Sequence, residues 1–390
     1  MTTIEQPIAA APPHYGGAVP YRRLAMLVLL ALAGIALRGA VFAAINGGTD
    51  VSGYVHALCV WDCGWYRTIA EGGYDLAPGV RLRPGAANWA FFPLSPTLAA
   101  LLGRLTGLSA EWAGFIVSNT AAILAALAAR PLFNSGRAYW LFATGLLVGP
   151  FSFLFSSLHT EALFILMTTL ALRALSNSRF VVAGLATALL SATRVTGVLM
   201  VFAMLAKAVE DHLTQGGRWR DLPLALIGNP PLLLGLALAP AGLFAYIAWL
   251  QFQVGDGLAF VHIQRAWGRE LVNPLSSLAL LTELQWPMTP AGMVVASWAA
   301  AAVIGLVLCV VLLFQRRVPA AIFCALCILV SLSAGQTSLV RFVAGLAPLG
   351  WALSALLARW TPAWVLGFLV AIVLDVVLTI GWINSSLFVM

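Results

Sequence analysis

Tyr21-Arg22-Arg23, followed by LAMLVLLALAGIALRGAVFAAI over residues 24–45, is the stretch whose reading decides the fold. Arg38 is the one charge in that apolar run. A bilayer core takes about 20 apolar residues per helix, and a signal-peptide core only about 7–15. The stretch is therefore expected to remain as a signal anchor, with its basic pair on the cytoplasmic side.

Working outward, comparable runs occupy residues 112–130, 139–157, 160–176, 180–193, 196–209, 231–252, 290–314, 318–335, 340–358 and 362–384. The chain is 61% hydrophobic and 9% charged, with mean hydropathy +0.95. Soluble domains carry about 25% charged residues, so a soluble fold is excluded. The fold class is an all-α polytopic membrane protein with about eleven crossings. Residues 91–107, interrupted by Pro93, Pro96 and Arg104, are expected to lie as a helix at the outer interface. Residues 1–20 are expected to be a flexible cytoplasmic tail, and 21–390 a single transmembrane domain.

Threaded this way, twelve basic residues fall inside and six outside. That bias places the N-terminus in the cytoplasm. The net charge of +7 then marks inner loops, and no basic run with interleaved aromatics suggests a nucleic-acid partner. Asp50, Asp62, Glu71, Asp75, Glu111, Asp256, Glu270 and Glu283 all fall outside. They sit on two long outer loops, about 46–111 and 253–289, or at their edges. Connections beyond about 12–15 residues are usually functional or disordered. These are rich in Trp, Phe and Tyr, so chemistry is expected on the outer face.

The densest constellation is Trp61-Asp62-Cys63-Gly64-Trp65-Tyr66. Aromatic rings pair an apolar body with a polar edge and suit sugar faces or headgroups alike. A partly desolvated Asp62 suits a general base; its structural alternative is an N-cap for a helix over 63–71. His159-Thr160-Glu161 stands between two spans. A glutamate there is costly unless it faces a partner or a wet cavity. Arg194 and Arg341 offer planar donor forks matched to phosphate oxygens, or ion-pair partners for Glu161. Asp256, Gln264 and Trp267 in the second loop suit a sugar or acceptor platform, with an interfacial helix as the alternative. Arg38 is expected to snorkel to the interface, and Asp375 has no evident partner. Cys324 and Cys327 read as helix packing, while for Cys59 and Cys63 a local disulfide is the lesser alternative to free thiols. Walker-type phosphate loops and metalloprotease helix signatures are absent from the sequence.

These motifs resemble the bacterial relatives of the PIG-V family, the second mannosyltransferase of GPI-anchor assembly, within the GT-C membrane glycosyltransferases. The matching pieces are Trp61-Asp62-x-x-Trp65-Tyr66 with Gly73-Tyr74, Phe91-Phe92-Pro93-Leu94 and Thr160-Glu161-Ala162-Leu163-Phe164. They continue with Thr193-Arg194-x-Thr196-Gly197, Gly255-Asp256 through Ala259-Phe260 with Gln264 and Trp267, and Arg341-Phe342 with Pro348-Leu349. His159 stands where the family commonly has tyrosine, and Phe342 replaces a tyrosine after the arginine.

The resemblance implies a GT-C-type bundle with juxtamembrane helices on its outer face. It implies inverting transfer of a hexose, typically mannose, from a polyprenyl-phosphate sugar to a lipid or glycan hydroxyl on the non-cytoplasmic face. Asp62 would be the base, with Glu161 catalytic beside it. Arg194 and Arg341 would hold the donor phosphate, and Trp61, Trp65, Tyr66, His159, Asp256, Gln264 and Trp267 the sugar or acceptor. No cofactor is expected; a divalent ion shared by Asp62 and Glu161 is the disfavoured alternative. The setting implied is a bacterial inner membrane, with membrane lipids as neighbours and the site on the periplasmic or extracellular side. The competing reading is a lipid or lipid-linked-sugar flippase that transfers no sugar.

Overall fold

The computed structural model describes residues 21–79, 82–274, 289–335 and 337–386. The expected tail over 1–20, Arg81, Glu283 and much of the second outer loop lie outside the described residues. In chain order the helices are α1 (Tyr21–Asn46), α2 (Val51–Ala57), α3 (Cys63–Gly72), α4 (Leu94–Thr106), α5 (Ala110–Ala129), α6 (Gly136–Leu147), α7 (Glu161–Leu175), α8 (Phe180–Ser191) and α9 (Met200–Thr214). They continue with α10 (Leu222–Ile227), α11 (Pro230–Leu238), α12 (Ala241–Val254), α13 (Ala259–His262), α14 (Pro290–Phe314), α15 (Val318–Ser333), α16 (Leu339–Ala344), α17 (Ala347–Leu357) and α18 (Thr361–Ile383). No strand occurs among the described residues.

Among the described residues, five helical stretches are long and apolar enough to cross a membrane: Tyr21–Asn46, Ala110–Leu132, Pro230–Val254, Ala291–Phe314 and Thr361–Ile383. Their outward faces carry bare aliphatic side chains such as Leu29, Leu32, Leu366, Leu369 and Val373. Such surfaces need lipid around them, and the protein is an integral membrane protein. Between helices, small residues allow the backbones to approach. A Cβ on Gly184 of α8 would lie 2.4 Å from the carbonyl oxygen of Gly235 in α11, so that contact requires glycine.

Several expected spans are shorter than the sequence suggests. The run over 139–157 is helical only to Leu147, because Gly149-Pro150 follows. Proline lacks an N–H and its ring collides with the preceding turn. The chain then runs irregularly to Thr160, burying Ser152, Ser156, Ser157 and His159. The run over 340–358 is likewise split between α16 and α17, and 196–209 opens with a 3-10 turn over Val195–Leu199. A twelve-residue helix such as α8 reaches only about 18 Å. Irregular backbone at membrane depth is tolerated only where protein or a water-filled cavity surrounds it: the breaks after α8 and around α16 border one cavity, and the stretch leading to Thr160 is buried in protein. The helix expected near 91–107 is α4, which packs along α3 and α5.

Two sequence expectations are corrected in the bundle. Arg38 does not snorkel: it is 1% exposed and pairs with Asp375, Nη1 to Oδ2 at 3.5 Å. Asp375, without evident partner in the sequence, also accepts from Ser152 Oγ at 2.7 Å. Arg38 donates to Ser152 and, from Nη2, to Ser156 Oγ at 2.8 Å. The reason is burial: α18 closes over α1 before Arg38 can reach the interface. The pair spans 337 residues of sequence, so no local pattern announces it.

Removing one partner from a buried ion pair leaves the other charge uncompensated, at about 3–5 kcal/mol. Arg38→Met should therefore lower the melting temperature of the purified protein sharply. The double variant Arg38→Met/Asp375→Leu should recover most of that loss. A single variant melting with the wild type would show that the pair holds nothing.

Candidate active site

The segment between α2 and α3 turns at Trp61, a non-glycine residue with φ of 55°, and enters α3 at Cys63. Cys59 and Cys63 are joined in a disulfide, so the reading that sequence ranked second is the observed one. Asp62 occupies the N-cap position of α3 but makes no side-chain cap bond. Its carboxylate instead accepts from Arg341 Nη2 at 2.6 Å.

Arg341, on the short α16, is 1% exposed and reaches two acids. Besides Asp62, it donates from Nε to Glu161 Oε1 at 3.0 Å. The same oxygen accepts from Arg194 Nη2 at 2.5 Å, and Arg194 Nε donates to Thr160 Oγ1 at 2.8 Å. Arg194 sits in extended backbone between α8 and the 3-10 turn, where the helix break turns its side chain back toward α7. Two acids and two guanidinium groups thus form one chain: Asp62, Arg341, Glu161, Arg194. The position between the two carboxylates belongs to the Arg341 guanidinium. Among the described residues, no group of three or more His, Cys, Asp or Glu is placed to hold a metal ion.

This chain of charges borders a cavity of about 800 Å³, at the large end of ordinary ligand pockets, about 300–1,000 Å³. Asp62, Arg194, Arg341, Trp61, Trp65, Tyr66, Gln264 and Trp267 all line it. Three expected site residues do not. Glu161 is 0% exposed and lies behind the arginines, so it positions them and touches no ligand. His159 is also 0% exposed, its ring set against Tyr66 and Trp382 and its Nδ1 2.8 Å from Ser157 Oγ. Asp256 lies away from the lining at the start of α13, where it accepts from the Leu258 amide at 2.9 Å and holds His262 Nδ1 at 2.7 Å.

The aromatic wall is built by stacking. Trp65 lies parallel to Phe91 with ring centres 5.6 Å apart, and Trp267 meets both edge-on at 5.4 and 5.9 Å. Gln264 and Trp267 belong to a 3-10 turn over Ile263–Trp267, in which residues three apart share a face. The opposite wall is apolar, from Ile328, Val330, Leu339, Val343 and Leu346. Val330, on α15, is 41% exposed.

Sequence reasoning missed three members. Arg83 and Arg269, counted only as loop charges, line the cavity. Phe342, noted only as a departure, carries three guanidinium groups around its ring: Arg194 at 5.1 Å, Arg269 at 6.0 Å and Arg341 at 6.0 Å. A cation within about 6 Å of a ring centre is attracted to its face. Among the described residues, four basic side chains line the cavity, Arg83, Arg194, Arg269 and Arg341, against one acid, Asp62. The lining suits an anion.

Electrostatics fixes the protonation states. Burial opposes charge on Asp62, but Arg341, with smaller help from His159 and Arg269, prevails and holds the carboxyl below its ordinary value. Burial drives the His159 imidazole down to about 4, against the pull of Glu161. Burial raises the Tyr66 phenol, so it keeps its proton.

No family model matches the chain, and no curated protein matches it. Among solved structures it is similar to ArnT from Cupriavidus metallidurans bound to undecaprenyl phosphate, at 15% identity and TM-score 0.49, covering 89% of this chain. It is also similar to an oligosaccharyltransferase from Archaeoglobus fulgidus, solved with Zn and sulfate, at 14% identity and TM-score 0.49, covering 92% of this chain. The chain spans 61% and 53% of the length of those two proteins.

Because the folded-state value of His159 lies below its ordinary 6.5, folding disfavours its protonation. Its contribution to stability is complete above about pH 6.5 and declines as pH falls toward 4. Histidine-labelled NMR should show one imidazole that stays neutral from pH 8 to 5 in the wild type and is missing in His159→Gln. If the signal lost in His159→Gln is one that titrates near 6.5 in the wild type, the buried placement is contradicted.

Proposed function

We propose that the protein is a membrane glycosyltransferase of the GT-C type, related to the PIG-V mannosyltransferases, that moves a hexose from a polyprenyl-phosphate sugar to a hydroxyl acceptor on the non-cytoplasmic face. The observation that carries this reading is a single cavity in which one carboxylate faces an arginine cluster beside an apolar wall. Each part answers one part of such a reaction. The guanidinium groups match a phosphodiester, the apolar wall matches a prenyl chain, and the aromatic wall matches a sugar face. The motif order from Trp61 to Leu349 adds to it, and mannose follows from that resemblance alone.

In the proposed step the acceptor hydroxyl lies against Asp62. Oδ2 is engaged by Arg341, which leaves Oδ1 to take the proton. As the O–H bond breaks, the acceptor oxygen bonds to the anomeric carbon from the face opposite the phosphate. The bond from that carbon to the phosphate oxygen breaks, and its electron pair leaves on polyprenyl phosphate. The transition state has oxocarbenium character, as in glycoside hydrolysis. Arg194 and Arg341 stabilise the charge that develops on the leaving phosphate, so no general acid is required. Configuration at the anomeric carbon inverts.

The outer placement is supported by the disulfide as well as by the basic-residue bias, since disulfides persist in oxidising compartments. A bacterial inner membrane with a periplasmic or extracellular site, entered by about eleven crossings, completes the reading.

The test is transfer by the purified protein in nanodiscs, given synthetic polyprenyl-phosphate mannose and lipid or glycan acceptors. Asp62→Asn should lower kcat about a thousandfold, within the range for a lost general base. With the Asp62 carboxyl held below its ordinary value, kcat/KM should stay flat from about pH 5 upward and fall only in more acid solution. Full activity in Asp62→Asn would remove the catalytic assignment.

A further inference from the structure

The turn that presents Asp62 is short and tightly tied at both ends. Leu58, 0% exposed, has its carbonyl held by Trp382 Nε1 at 2.9 Å. Cys63, also 0% exposed, is packed with Trp65, Tyr66 and Phe91. Between them the Cys59–Cys63 bond closes a loop containing Val60, Trp61 and Asp62. Within that loop Trp61 holds φ of 55°, a region that bulky residues rarely occupy. Its buried indole Nε1 has no hydrogen-bond partner, so no polar contact of that ring holds the conformation. Asp62 does not cap α3 either. A return of Trp61 to an ordinary negative φ would rotate the peptide that follows and swing the Asp62 carboxylate relative to the cavity.

We propose that the Cys59–Cys63 disulfide is a positioning element for Asp62, so that sugar transfer depends on this bond being oxidised. The inference rests on the reading of Asp62 as the base. Cys59 is partly exposed and within reach of a soluble dithiol. Reduction transfers two electrons and two protons from the dithiol to the S–S bond, leaving two cysteine thiols and an oxidised dithiol. The chain then loses the cross-link one residue from Asp62, while Arg194, Arg269 and Phe342 keep their places on other elements. The catalytic step suffers and donor binding does not. A misplacement of about 1 Å costs on the order of a hundredfold in rate.

The experiment uses the full chain in nanodiscs, before and after dithiothreitol, with mass analysis counting labelled thiols at Cys59 and Cys63. The other cysteines, Cys309, Cys324 and Cys327, are free and buried. Reduction should lower kcat by about ten- to a hundredfold with donor KM changed less than about twofold, and reoxidation with diamide should restore it. Cys59→Ala/Cys63→Ala should show the same low kcat with no response to reductant. Hydrogen exchange, which needs no turnover, should show protection lost over residues 58–66 and kept around Arg194 and Arg341. Unchanged kcat in fully labelled protein overturns the proposal, as does loss of donor affinity in step with kcat. If the oxidised protein transfers no sugar, the functional reading falls by itself. Exchange then decides for the clamp or, with residues 58–66 unaffected, against it.

Discussion

The oxygen Oε1 of Glu161 is the point on which the site depends. It accepts from Arg194 and from Arg341 together, and Arg341 carries the connection onward to Asp62. Four charged side chains, from the first outer loop, the start of α7, the break after α8 and the short α16, meet in one buried cluster. In a low-dielectric interior such a cluster is held by mutual pairing, and removing any member strands the rest. The four segments are therefore fixed relative to one another by charge, in a bundle whose remaining contacts are largely apolar and weakly directional. Glu161 itself touches no ligand, yet it sets where both arginines point.

The same requirement explains why the helices around the site are broken. A helix that crosses the whole bilayer presents its interior polar residues only to neighbours at the same depth. Ending α6 at Leu147 and α8 at Ser191, and splitting α16 from α17, lets the segments carrying His159, Arg194 and Arg341 turn inward, His159 and Arg341 fully buried and Arg194 partly so. Backbone groups freed at these breaks lie inside protein or beside the cavity, where membrane structure permits them. Uninterrupted helices such as α1, α14 and α18 carry much of the lipid-facing surface. One of them does more: α18 turns Asp375, Thr379 and Trp382 inward, one to Arg38 and one to Leu58, and so braces the floor of the site.

Much of this was legible in the sequence because hydropathy and charge are local signals. The runs over 24–45, 112–130 and 362–384 differ from α1, α5 and α18 by a few residues at their ends. Asp62, Arg194 and Arg341 stood out because a charge within an apolar chain is costly and needs a reason. What could not be read depends on distance along the chain. The Arg38–Asp375 pair, the sharing of Glu161 between two arginines and the arrival of Arg269 at the cavity are all facts of packing. Asp256 differs the other way: its place in a family-like motif suggested a ligand, whereas in the fold it lies off the cavity lining, accepts from the Leu258 amide and holds His262. Phe342 was visible only as a substitution, and its meaning came from three guanidinium groups set around one ring.

A carboxylate pressed against an arginine is a weak base, and the proposed transfer has to be compatible with that. The chemistry makes it so. When the leaving group is a prenyl phosphate and the transition state is oxocarbenium-like, bond breaking at the anomeric carbon runs ahead of bond making. The acceptor hydroxyl becomes acidic only as its oxygen begins to share electrons with that carbon. Proton transfer then comes late, to a base that has only to be present, charged and correctly placed. Arg341 secures the charge, at the expense of basicity that the reaction does not need. In the proposed step the same guanidinium, which lines the cavity, also meets the departing phosphate, so its partial release from Asp62 and its attraction to the leaving group occur together. A base with higher affinity for protons would be protonated more often at rest and would hold Arg341 less firmly. The pairing of Asp62 with Arg341 is therefore part of the proposed catalytic design.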